Sequence, residues 1–234
     1  MLVSGCSHSF GYKLDDINKS WGNIFARNNN HELTNVSHPG CSLHYSIQQI
    51  LNEIPKESYD TIVLQLTDIS RITIPYNGDE VFFSDHINKA KEDKVFHLHK
   101  AAYLESVDGC NSLIKTEIVR FFYEKVMYSK FYLNTIINEL YLLQQLLKLK
   151  NIDFILIPYD DWTWGYENPM NIWKFENSKI IDKTRYIDYP FMKWLRDNYN
   201  PDDFYIDNGF HLNEKGHKLF AEEYIPIFIK IDGK

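Results

Sequence analysis

Apolar residues in this chain fall into two kinds of stretch: short strand-like blocks, and longer segments in which they return every three or four positions. The blocks lie near Leu2 to Ser4, Leu33 to Val36, Thr61 to Leu66 and Asp153 to Ile157. The run Tyr59-Asp60-Thr61-Ile62-Val63-Leu64-Gln65-Leu66-Thr67 is continuous and partly β-branched, which predicts a strand covered on both faces, as in parallel sheets. Helical spacing follows Ser20 through Trp21, Ile24 and Phe25 and stops at Asn28-Asn29-Asn30. It returns after the capping residue Ser42 through Tyr45, Ile47, Ile50 and Leu51 to the breaker Pro55. From Lys115 to Lys150 the same spacing describes one long or two abutting helices, closed by Asn151. A short helix near Phe191 to Arg196 and a terminal one from about Asn213 to Phe228 complete the series.

Two segments follow neither period. Pro75, Asn77-Gly78 and many charges between Ile72 and Cys110 predict an inserted hairpin or lid, about residues 72–112. The stretch after Asp160-Asp161, with Trp162, Trp164, Tyr166 and Trp173, reads as irregular. No repeat, linker or charge block divides the chain, so residues 1–234 read as a single domain. Strands alternating with helices predict a three-layer α/β/α sandwich around a mostly parallel sheet. The segments ending at Gly5, Ser37, Thr67 and Asp160 then mark one sheet edge and face a common crevice.

Composition narrows the class. With 44% hydrophobic and 24% charged residues the chain is long enough to bury a core, which excludes a disordered or low-complexity protein. A formal charge of -7 argues against a broad nucleic-acid or anionic-membrane footprint. No apolar run approaches membrane-spanning length, and Met1-Leu2-Val3-Ser4-Gly5 lacks a leader's basic and apolar regions. Cys6, Cys41 and Cys110 are odd in number and far apart, as expected of free thiols in a reducing compartment. The expectation is a cytoplasmic protein.

Candidate chemistry sits on the loops. Ser7 lies in Gly5-Cys6-Ser7-His8-Ser9-Phe10-Gly11, directly after a strand signal, and His211 lies in Asp207-Asn208-Gly209-Phe210-His211. A serine hydroxyl becomes a nucleophile when an imidazole takes its proton, and that imidazole needs an acceptor to fix its tautomer. Each residue alone is equally at home in a bland role, Ser7 as a helix cap and His211 as a satisfied surface group. Arg71 could clamp a substrate carboxylate or phosphate, or tether a loop. His97-x-His99 has no carboxylate or cysteine cluster beside it, so no metal site and no cofactor are expected.

Taken together, Gly5 to Gly11, Asn35 to Gly40, Thr67-Asp68 and Asn208-Gly209-Phe210-His211 resemble the separated sequence blocks of the SGNH (GDSL) hydrolase superfamily. The resemblance implies a flavodoxin-like sheet and a serine esterase working through an acyl-enzyme. It places Ser7 as nucleophile, His211 as base, and the Ser7 N–H, Gly40 N–H and Thr67 hydroxyl around the oxyanion. Three departures stand out. Cys6 replaces the aspartate before the nucleophile, and Thr67 replaces an asparagine donor. The family spacing to His211 falls on Asn208, with the carboxylate Asp207 one residue earlier. Asp207 is the expected orienter and Asn208 its rival, with Asp160 or Asp161 in reserve. The expected substrate is a carbohydrate or small-metabolite ester, with Trp162 and Trp164 as aromatic contacts. An acyltransferase on the same site and an inactive glycan-binding module are the competing readings.

Overall fold

The computed structural model describes residues 1–69, 71–75, 95–98, 125–126, 130–159, 174–206 and 211–229. In chain order the principal elements are β1 (Leu2–Ser4), α1 (Ser7–Phe10), α2 (Trp21–Asn28), β2 (Thr34–Asn35), α3 (Leu43–Glu53), β3 (Thr61–Leu66), β4 (Ile72–Pro75), β5 (Val95–Leu98), α4 (Lys130–Leu149), β6 (Asp153–Pro158) and α5 (Phe191–Asn198). A C-terminal helix follows in three pieces: α6 (Glu214–Leu219), a π-turn over Phe220–Tyr224, and α7 (Ile225–Phe228). The break falls just before Pro226, which has no N–H to donate into the preceding turn.

The four core strands are parallel in the order β2-β1-β3-β6. Register aligns Val3 with Val63 and Val63 with Ile155, while Leu2 pairs with Ile62 and Ile62 with Phe154. Alternate rows therefore face opposite ways and seed two cores. Leu2, Ile62, Leu64 and Leu156 meet Leu43, Ile47 and Ile50 of α3 and Leu133, Ile137, Leu140 and Leu147 of α4. Val3, Val63, Ile155 and Ile157 meet Trp21 and Phe25 of α2, Phe191 of α5, and Phe220 and Tyr224 of the C-terminal helix. Full burial of each such side chain stabilises by about 1.5–3 kcal/mol, so the two faces carry the sandwich. This is the three-layer α/β/α architecture.

Helix ends follow local chemistry. The Ser42 hydroxyl accepts the Tyr45 N–H at 3.2 Å and caps α3. Ser20 occupies the N-cap of α2 with extended backbone but makes no side-chain cap bond; its hydroxyl accepts from Asn23 at 2.9 Å instead. Asn151 closes α4 in the left-handed region at φ 55°. Within the segment expected to hold a hairpin or lid, β4 and β5 pair antiparallel, Ile72 opposite Leu98; the remainder lies outside the described residues. Among the described residues no helix is long and apolar enough to cross a membrane.

Candidate functional site

All four parallel strands end at the same edge, and their following residues build the site. After β1, sequence reasoning expects a tight loop; instead Ser7–Phe10 forms one helical turn, because the Cys6 carbonyl accepts the N–H groups of both Ser9 and Phe10, at 3.1 and 2.9 Å. Gly5 is needed at the entry: a Cβ there would lie 2.6 Å from Ser9 Oγ and 2.8 Å from Gln65 Cβ. Gly11 closes the turn at φ 79°, and the Ser7 carbonyl accepts from Gly11 and Tyr12 N–H at 3.1 and 3.0 Å. Ser7 thus opens a fixed turn, largely buried at 7% exposure.

Neighbouring strands brace that turn. The Ser9 hydroxyl donates to Gln65 Oε1 on β3, and Asn35 Nδ2 at the end of β2 donates to the Ser9 carbonyl at 2.8 Å. The Gly5 carbonyl accepts the His38 N–H at 3.0 Å and the Cys41 thiol at 3.2 Å, which hangs the Gly40 loop on the start of the Ser7 segment. Gly40 itself has φ 77°. Thr67, just beyond β3, is buried. Arg71 is half-buried after a turn in which its N–H donates to the Asp68 carbonyl at 3.1 Å. Its charge reaches both His8 and Cys41. Burial pushes the Cys41 thiol up to about 12, so Cys41 is a protonated packing group.

His211 comes from the other end of the chain. Its carbonyl accepts the Ile206 N–H at 2.8 Å, and Tyr205 bridges antiparallel to Leu212, pinning the segment ahead of α6. The half-buried His211 ring lies 5.6 Å from the ring of His8, the residue after Ser7, and 5.0 Å from that of Tyr12. His8 stacks on Tyr159, the residue following β6, with centroids 3.6 Å apart and planes at 16°. Burial, and then the charges of His211, Arg71 and His217, hold His8 well below the usual histidine range. His217 on α6 accepts the Trp21 N–H at Nδ1, 3.2 Å away, which fixes its neutral Nε2–H tautomer; burial lowers it to about 3.

Ser7, Gly40, Thr67 and Arg71 therefore gather around one edge with His211 beside them, while Asp207, Asn208, Asp160, Asp161, Trp162 and Trp164 lie outside the described residues. Sequence reasoning assigned no role to His8, Tyr12, Tyr159 or His217. Each had a positional signal: His8 and Tyr12 flank the serine block, Tyr159 ends a buried-strand run, and His217 sits six residues past His211 on the same segment.

No family model matches the chain, and no curated protein matches it in sequence. Solved structures do. The structure of TesA superposes with a TM-score of 0.52 at 11% identity, covering 96% of this chain and 95% of that one. A lipolytic protein of the G-D-S-L family from Desulfitobacterium hafniense DCB-2 gives 0.46 at 11% identity, covering 97% and 98%. The esterase EstA from Pseudoalteromonas sp. gives 0.46 at 12%, covering 96% and 93%. At these identities the likeness concerns the fold alone: this chain shares the three-layer α/β/α fold of TesA.

Proposed function

We propose that this chain is a serine esterase that removes an acyl group from a carbohydrate or other small-metabolite ester. One observation carries the reading. Loops after β1, β2 and β3 present Ser7, Gly40 and Thr67 at a single edge, and the His211 ring contacts the ring of the residue next to Ser7. In this mechanism Ser7 Oγ bonds to the ester carbonyl carbon as its proton passes to His211. The Ser7 and Gly40 N–H groups and the Thr67 hydroxyl receive the oxyanion. His211 then protonates the departing alcohol, leaving an acyl-serine. Water, deprotonated by the same imidazole, attacks the acyl carbon and frees the acid and Ser7. Asp207 is the proposed orienter of His211, with Asn208 its rival. Arg71 supplies positive charge for a substrate with an anionic group, and Trp162 and Trp164 supply aromatic contact.

The test is covalent labelling with a fluorophosphonate. The intact chain should label at Ser7, and Ser7→Ala should abolish labelling and reduce hydrolysis of a short acyl ester by about a thousandfold or more. Labelling at Ser9, or turnover that survives Ser7→Ala, would remove Ser7 from the role. No labelling at all would leave the chain as a binding module with this fold.

A further inference from the structure

Two imidazoles lie by the Ser7 turn: His8 follows Ser7 in the chain, and the His211 ring is 5.6 Å from that of His8. His8 is 8% exposed, its Nδ1 has no hydrogen-bond partner among the described residues, and it lies flat on Tyr159 at 3.6 Å. The groups that act on it electrostatically are His211, Arg71 and His217. A proton on His8 would thus be an uncompensated charge in a low-dielectric site facing the Arg71 guanidinium. His211 is half-buried, and its ring centroid lies 5.0 Å from that of Tyr12, with the planes at 57°. A cation within about 6 Å of an aromatic centroid is attracted by the ring's quadrupole.

We propose that Tyr12 is a positioning residue for His211: its ring favours the imidazolium that forms as Ser7 loses its proton, while His8, stacked on Tyr159, stays the neutral member of the pair. Among the described residues, titratable groups that act on His211 include His8 from α1, Tyr12 from the turn after it and His217 from α6. His217 accepts a backbone N–H at Nδ1 and is neutral. The single proton released by Ser7 therefore resides on His211 and returns from it to the leaving alcohol. That His211 is the base rests on the esterase reading above; the ring contact does not.

The test follows the histidine ring signals of the full chain by NMR through a pH titration, in a Ser7→Ala background, with His211 assigned by its loss in His211→Asn. Tyr12→Leu should weaken proton binding at His211 about twofold to fivefold. Tyr12→Phe, which keeps the ring, should restore it to within about twofold of the parent. His8 should remain neutral after His211 is fully protonated. In the Ser7-intact chain, Tyr12→Leu should also move the acid limb of kcat/KM to lower pH, a displacement that loosened packing alone would not produce. Tyr12→Met fills similar space and stands in if the Leu variant fails to fold. An unchanged or strengthened His211 proton affinity without the ring, or protonation of His8 ahead of His211, overturns the proposal. Failure of Ser7 to label would overturn the esterase reading instead, and the titration would still decide the ring contact.

Discussion

Gly5 is the residue on which the position of Ser7 turns. A Cβ at this point meets Ser9 Oγ at 2.6 Å and Gln65 Cβ at 2.8 Å, and both neighbours are buried and hydrogen-bonded to each other. Neither can yield without moving α1 or β3. Gly5→Ala is expected to lower stability by about 1–3 kcal/mol, as overpacking does. It should also depress ester hydrolysis more than the stability loss explains, because the shift falls on the Ser7 turn. Urea unfolding alongside kinetics at a temperature where the variant is fully folded separates the two effects; a variant with full activity would show that Ser7 tolerates the displacement. Thr67 raises a different question, since the hydroxyl proposed as an oxyanion donor is short and can rotate. Thr67→Val keeps the shape and removes the donor. The expected result is a fall in kcat of about tenfold to a few hundredfold, and an unchanged kcat would make Thr67 a packing residue.

At the scale of elements, the segment that carries His211 is held by a cap. Asn213, two residues beyond His211 in the chain, accepts the Gly216 N–H at Oδ1 at 3.0 Å, starting α6, while its Nδ2 donates to the Asp203 carbonyl at 2.9 Å. Removing a cap of this kind costs about 0.5–2 kcal/mol. Asn213→Ala should therefore lower Tm by roughly 1–8 °C for a domain of this size, and reduce kcat more than it raises KM. Asn213→Asp, which keeps the cap acceptor, should recover most of the stability in a thermal scan. Elements of this length were legible in the chain wherever periodicity had room to show itself. The blocks at Thr61 to Leu66 and Asp153 to Ile157 are unbroken because both faces are covered, and Ser42 announces α3 by the bond it makes. The α1 turn was not legible, because four residues carry no period and Ser7–Phe10 is defined by a carbonyl, that of Cys6. Ring contacts were less legible still. His8 meets Tyr159 only because the four-stranded order sets the ends of β1 and β6 at one edge, an arrangement that neither segment encodes alone.

On the scale of the whole molecule, the aromatic core and the site share two buried neutral histidines, and this ties folding to pH. His217 is held at about 3 by burial and then by the charge of His211, against an ordinary 6.5, and His8 is held well below 6.5 by burial first. For a base with a lowered folded value, the unfolded chain binds the proton first, so stability is fully present above about pH 6.5 and falls as pH drops toward the folded values. Each such histidine contributes a slope of up to about 1.4 kcal/mol per pH unit in that window. His44 works the other way, since its hydrogen bond to Glu139 raises it, and its contribution is present below 6.5 and lost as pH rises. Its side chain is 56% exposed, so solvent screens the pair and the two buried rings dominate. Urea unfolding between pH 7.5 and pH 4.5 should show steadily falling stability in the acid direction. His217→Asn keeps an acceptor near the Nδ1 position for the Trp21 N–H while removing the titration, so it should flatten about half of that slope below pH 6. A slope unaltered in His217→Asn would mean that His217 takes up no proton on unfolding in this range, and the assignment of acid sensitivity to the buried pair would fail.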